Sequence, residues 1–428
     1  MKVPPETEPA VPPRAAFQYR DFRLFQFGRA LSIVGTEMQS VAVGWQVFEI
    51  THRPIDLGYV GLVQFLPGVL LSIPAGHTAD RFDRRAVLLT CYISYSICSV
   101  LLFLQAHASA KSVLPIFATL LLIGITRAFS GPASQSLVPQ LVPTEHFGNA
   151  VTWGATVFQI ATVLGPALGG LIYGWAHGAA NVYITAACCY AAGFVFLLMM
   201  RVRTGRMEKK DISIETLLAG VRYVWREKII LGSISLDLFA VLLGGAVALL
   251  PVYAEDVLHV GPGGLGVLRS MPAAGAALMA VVLAYRPLQR RSGVMMFIAV
   301  AIFGVSTIIF GISRSMTISL ISLFVVGASD MISVVIRNTL VQIATPAAMR
   351  GRVSAVNLLF IGASNEFGQF ESGITAQWLG AMPAVILGGV GTLVVVGLWA
   401  WIFPQLRQMD RLIPVREIEA EAKQQELV

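Results

Sequence analysis

Gly76-His77-Thr78-Ala79-Asp80-Arg81-Phe82-Asp83-Arg84-Arg85 is a polar, mostly basic hairpin at the joint between two long apolar runs, residues 56–79 and 86–106. About 20 mainly apolar residues are needed for a helix to cross a bilayer, and both runs have that length. The turn between them therefore belongs at a membrane surface, and its arginines belong on the cytoplasmic side, where Lys and Arg collect. Asp80 at this mouth can accept from a helix N-terminus and pair with Arg81, Arg84 and Arg85, which is the makeup of an ionic latch. Surface topology accounts for the arginines without accounting for Gly76 or Asp80.

The same pattern repeats outward from this turn. Of the 428 residues, 56% are apolar and 13% charged, against about a quarter charged in soluble proteins, so lipid is the expected solvent. Transmembrane helices are predicted over 22–49, 56–79, 86–106, 112–133, 149–174, 180–200, 229–254, 262–285, 294–313, 317–337, 353–379 and 381–403. Only one connection, 201–228, is long. The chain reads as an all-α membrane protein with 12 transmembrane helices in two six-helix bundles: a tail over 1–21, a bundle over 22–200, a linker over 201–228, a bundle over 229–404 and a tail over 405–428. The linker carries Arg201, Arg203, Arg206, Lys209, Lys210, Arg222, Arg226 and Lys228, with Ile214, Leu217, Leu218, Val221 and Val224 or Trp225 at helical spacing. That pattern predicts an amphipathic helix lying on the membrane surface.

The formal charge of +7 follows from this topology. With both termini cytoplasmic, only Arg53, Lys111 and Arg314 fall in external loops, and Arg29, Arg127, Arg269 and Arg337 lie within or at the ends of helices. Nucleic acid is not an expected partner. The proline-containing N-terminal tail has no apolar h-region, so no cleaved leader is expected. Cys91, Cys98, Cys188 and Cys189 sit inside predicted spans, and no His or Cys has metal-ligand spacing. No metal and no cofactor are expected. Without a nucleophile and base pair the chain does not read as an enzyme.

The two halves echo each other. Asp80 to Arg85 follows the second span, and Arg286-Pro287-Leu288-Gln289-Arg290-Arg291 follows the eighth; Arg127 leads to Gln140-Leu141-Val142-Pro143 as Arg337 leads to Gln342-Ile343-Ala344-Thr345-Pro346. Parallel repeats of this kind build many transporters.

The hairpin from Gly76 to Arg85 resembles the G-x3-D-R-x-G-R-R signature of the major facilitator superfamily, departing at Asp83, where the family has Gly. Ile123-x3-Arg127-x2-Ser130-Gly131 resembles its L-x3-R-x2-Q-G pattern, with Ser130 for Gln, a position that the family links to proton coupling. Gly165-Pro166-Ala167-Leu168-Gly169-Gly170 is similar to the G-P-x2-G-G motif of its proton-driven exporters. In that motif small residues let helices approach and Pro166 lets one bend. The stretches Leu242 to Pro251, Met349 to Asn357 and Phe360 to Gly373 are similar to the enterobactin-exporter-like and macrolide-efflux-like branch, with coverage of residues 17–404. The resemblance implies a proton-coupled exporter in a bacterial inner membrane, acting as a monomer on a siderophore or amphiphilic drug-like molecule, with protons and membrane lipids as its other partners. An uptake symporter or lipid flippase on the same fold remains an alternative, as does, from another class, a membrane sensor or enzyme.

Acids in membrane helices are functional candidates, because burying their charge is costly. Glu37 leads, on a helix that also carries Arg29, Gln39 and Gln46 and so borders water on one face. Asp237, Glu366, Glu371 and Asp330 follow as proton-coupling candidates with Arg127, and Asp330 is expected to pair with Arg337 two turns on. Trp45, Gln46, Phe65, Asn365 and Gln369 are candidate linings of a substrate cavity.

Overall fold

The structure, a computed structural model, describes residues 14–108, 112–201, 214–286, 288, 291–346 and 349–410. No strand occurs among them. After a 3-10 turn at Ala15–Gln18, the first half consists of α1 (Arg20–Thr51), α2 (Pro54–Leu70), α3 (Ser72–Arg81), α4 (Arg84–His107), α5 (Leu114–Leu137), α6 (Phe147–Ala176) and α7 (Ala179–Leu198). The linker contributes α8 (Ile214–Arg226). The second half holds α9 (Lys228–Leu243), α10 (Leu250–Val252), α11 (Gly261–Tyr285), α12 (Ser292–Ile312), α13 (Met316–Ile343), α14 (Arg350–Leu379) and α15 (Ala381–Ile402), followed by the short α16 (Pro404–Gln408).

Two predicted spans are broken where the sequence reading has continuous helices. The second divides at Leu71 into α2 and α3, because Pro74 offers no N–H to the Leu70 carbonyl and its ring crowds that oxygen. The seventh stops at Leu243, and after Gly244 and Gly245 it continues as a 3-10 turn at Ala246–Leu249, then α10 and a π turn at Tyr253–Val257. Pro251 withholds a donor from this stretch in the same way. Gly245 is also where α14 comes closest: a Cβ there would lie 2.6 Å from the Gly368 carbonyl oxygen.

Among the described residues nine helices are long and apolar enough to cross a membrane. Three further predicted spans do not qualify: α1 and α14, which carry Arg29, Glu37, Glu366 and Glu371, and α2, an apolar helix of 17 residues. For α1 and α14 the reason is their charged residues, of which Arg29, Glu37 and Glu366 face a cavity shared by the two halves; α2 is short because it ends at Leu71.

Within the first half α1 packs on α6 and α7, and α4 on α5 and α7; within the second, α11 packs on α13, and α12 on α13 and α15. The halves meet chiefly through α2 against α14 and α6 against α11. The linker helix α8 docks on α9 and α14, burying Val224 and donating from Tyr223 Oη to the Ala344 carbonyl at 3.2 Å, while Leu218 and Trp225 stay exposed. The linker residues 202–213, the second hairpin's Pro287, Gln289 and Arg290, and the tail from 411 onward lie outside the described residues.

Candidate functional site

The Gly165-to-Gly170 motif is where α6 meets its neighbours. Gly165 faces the Glu37 side chain of α1, Gly169 the backbone of Met38, and Gly170 the backbone of Gly266 and Pro262 in α11. A Cβ at Gly170 would sit 2.6 Å from both Gly266 Cα and the Pro262 carbonyl oxygen. Pro166 is buried between them, its carbonyl against Gly266. Further along this seam Gly174 faces Gly263, and Gln159 donates to the Ala273 carbonyl at 2.6 Å. On the other side Gly58 and Gly61 of α2 lie against Phe370, Gln369 and Glu366 of α14. Small residues thus close the halves on the side away from the start of α1.

Toward the start of α1 the halves enclose a cavity of about 480 Å³. Charged and polar side chains share its wall with apolar ones, in a largely apolar molecule. Glu37 and Arg29 reach it from α1, Arg127 from α5, Arg269 from α11, and Glu366 with Gln369 from α14. Arg127 Nη1 stands 4.0 Å from Glu366 Oε1, linking the first half to the second. Arg269 donates from Nη2 to Ser40 Oγ of α1 at 2.7 Å, a second link across the halves, and it interacts electrostatically with Glu37 and Glu366. Gln369 donates to Glu366 Oε2 at 3.3 Å. The result is a chain of alternating charge, from Arg127 through Glu366 and Arg269 to Glu37, with members on both halves. Ser130, where the resembling pattern has Gln, exchanges a hydrogen bond of 3.0 Å with Tyr95 Oη on the same wall.

Several sequence-derived candidates fall elsewhere. Arg337 does not pair with Asp330; it forms a buried ion pair with Asp237 across α9 and α13, and Ser333 Oγ donates to Asp237 at 3.3 Å. Asp330 is two turns from Arg337 along the same helix, too far for direct pairing, whereas Asp237 faces it from the next helix. Asp330 borders a small void of about 10 Å³ with Asp237 and Ser333, remote from the cavity. Glu371 accepts from Thr375 at 2.8 Å and does not line the cavity. Nor do four of the five expected lining residues. Trp45 is buried against Tyr173, Gln46 accepts from Tyr183 at 2.7 Å, Phe65 meets Phe367 edge-on, and Asn365 is exposed. Only Gln369 of the five is in the wall. Arg269 is not among the sequence-derived coupling candidates, although a guanidinium well inside an apolar span is a signal for such a role.

At the hairpin, Asp83 Oδ1 accepts from the Arg85 backbone N–H and caps α4. That is work a carboxylate can do and the family's usual Gly cannot. Arg85 donates from its side chain to the Leu197 and Leu198 carbonyls at 2.9 and 2.8 Å, capping the end of α7. Arg84 is buried and Arg81 exposed. Gly76 lies within α3, and the side chain of Asp80 lies outside the described residues.

A helical membrane chain whose two halves close over a charged central cavity is built as a secondary transporter, and its architecture is that of the major facilitator superfamily. Over residues 12–427 the chain matches the family described as transmembrane secretion effector, and it belongs to that family. It is 25% identical over 401 residues to the enterobactin exporter EntS of Citrobacter koseri, covering 92% of this chain and 94% of that protein. It is 25% identical over 400 residues to the EntS of Escherichia coli O81, with the same shares covered. Among solved structures it superposes on a bacterial homologue of the human lysosomal transporter Spinster, in an inward-facing and unoccupied conformation, with a TM-score of 0.72 and 15% identity over 91% of this chain and 99% of the other. A POT family transporter in complex with 5-aminolevulinic acid gives a TM-score of 0.72 at 13% identity over 91% and 97%. The protein is a membrane transporter and not an enzyme.

Proposed function

We propose that this transporter is a proton-coupled exporter, carrying a siderophore or amphiphilic drug-like molecule out across a bacterial inner membrane, as a monomer with both termini cytoplasmic. The observation that carries the reading is the charge chain Arg127–Glu366–Arg269–Glu37, which ties one half to the other inside the cavity. While both glutamates are ionised they hold the two arginines, and the halves stay linked. A proton on either carboxylate removes its charge, weakens the link across the halves and eases the rocking that exposes the cavity on the other side. Proton entry and substrate exit then use the same conformational cycle. The family description and the exporters it resembles support the outward direction.

The hairpin completes the cycle in this reading. Asp80 with Gly76, Arg81, Arg84 and Arg85 acts as a latch that opens and closes as the halves rock, and Arg85 is already anchored on the end of α7.

The test uses purified protein in proteoliposomes of known orientation under an imposed pH gradient, with a siderophore and amphiphilic drug panel. Glu37→Gln keeps the size of the neutral acid and cannot ionise. It is expected to abolish gradient-driven accumulation while leaving substrate exchange between the two sides. Full gradient-driven accumulation by the variant would make Glu37 structural, and substrate entering together with protons would replace export by uptake.

A further inference from the structure

The cavity wall is not balanced in charge. Among the described residues three guanidiniums, of Arg29, Arg127 and Arg269, face two carboxylates, of Glu37 and Glu366. Arg127 and Arg269 are engaged by those carboxylates. Arg29 is not. None of the salt bridges among the described residues includes it. Its one hydrogen bond among the described residues, from Nη1 to the Gly154 carbonyl, is long at 3.4 Å. Electrostatically its neighbour is the Tyr92 hydroxyl, not an acid. Gly154 leaves room for it: a Cβ there would stand 3.1 Å from Arg29 Nη1 and 3.3 Å from Gln26 Nε2. The Gln26 amide, one turn before Arg29, is buried with neither its nitrogen nor its oxygen hydrogen-bonded.

A guanidinium held within a protein without a counter-charge is costly, and the cost falls away when an anion arrives. Its planar fork matches a carboxylate or similar acid group with two parallel hydrogen bonds. We propose that the central cavity selects an organic anion, whose acid group is received by Arg29. This rests on the cavity being the substrate site of the exporter described above. Because Arg29 is separate from the arginines that the glutamates hold, it stays available whether Glu37 and Glu366 carry protons or not. A cation would meet an excess of positive charge in the same wall. The inside-negative membrane potential also drives an anion outward, in the direction of the proposed export.

The test measures binding of two dyes that share a xanthene ring and differ in charge, anionic fluorescein and cationic rhodamine 123, by fluorescence anisotropy with the full chain in detergent. Wild-type protein is expected to bind fluorescein and not rhodamine 123. Arg29→Gln is expected to weaken fluorescein binding about tenfold or more, the effect of losing one charge-assisted hydrogen-bonded contact. Arg29→Lys, which keeps the charge but loses the fork, is expected to restore part of the affinity, and so excludes a folding defect as the cause. The proposal is overturned if wild-type protein prefers rhodamine 123, if it binds neither dye, or if Arg29→Gln binds fluorescein as wild type does. Displacement of fluorescein by phosphatidylglycerol at lower concentration than by benzoate would assign Arg29 to a lipid headgroup and also overturn it. Arg29-dependent fluorescein binding without gradient-driven fluorescein transport would leave this proposal standing and remove the export reading instead.

Discussion

Arg29 is half-buried and meets no acid among the described residues, whereas Arg337 is held by acids, and the difference sets their chemistry. Arg337 is 2% exposed and paired with Asp237, while a second acid, Asp330, lies close enough to interact with both. Two carboxylates share one base, so loss of either member has unequal effects. Arg337→Met leaves buried acid without a counter-charge and is expected to cost about 3–5 kcal/mol. Asp237→Asn leaves Arg337 within the field of Asp330 and is expected to cost less than half as much. Thermal unfolding in one detergent compares the two directly, and equal losses of Tm would show that Asp330 does not compensate. This pairing was not legible from spacing along α13. The partner comes from α9, a hundred residues earlier, and only packing brings the two together.

At the scale of elements, the glycines of α6 and α11 set how closely the halves approach. Gly170→Val places methyl groups where the backbones of Gly266 and Pro262 already lie. Overpacking of this sort costs about 1–3 kcal/mol, and here the cost falls on the arrangement in which the far side is closed. The variant is therefore expected to insert normally and lose most transport. A cysteine at Ser134 in the cavity wall should then react more slowly with a maleimide added from the side of the start of α1. Gly148→Val has no neighbouring atom within 4 Å and serves as the control; equal transport by the two variants would separate the motif from closure. A second element-level expectation concerns the hairpin. Arg85→Ala removes both caps on the last carbonyls of α7 and is expected to cost about 1–2 kcal/mol, read as a lower Tm, whereas Asp80→Asn should slow transport severely with Tm unchanged.

For the molecule as a whole, the cavity reaches Arg29, Ser134 and Gln135, near the start of α1 and the end of α5, while Gly174 and Gly263 meet on the opposite side. The alternating-access reading requires that this opposite seam part during each cycle. A Cβ at 174 would lie 3.5 to 3.8 Å from the backbone of Gly263, so cysteines at 174 and 263, in a background without the four native cysteines, can be cross-linked across this seam. Oxidation is expected to stop transport and reduction to restore it. Transport that continues with the bridge intact would mean that the halves do not separate there.

Much of this molecule was settled by composition and periodicity alone. Apolar runs of bilayer length, short turns and basic residues gathered at one set of turns specify two six-helix bundles, because each helix solves its own burial problem in lipid. The turn between Gly76 and Arg85 and the small residues of Gly165 to Gly170 were visible for the same reason, since a polar turn and a small side chain are local features, but that Arg85 would cap the end of α7 was not. What the sequence could not decide was which polar residues meet. Trp45 and Phe65 read as cavity lining and turned out to be packing, since an aromatic has the same periodicity on either face. Arg127 finds Glu366 and Arg269 finds Ser40 from opposite halves of the chain, and Arg29 meets no acid among the described residues. Those pairings depend on the angle and depth at which two bundles close, quantities that no local pattern encodes and that only the tertiary structure decided.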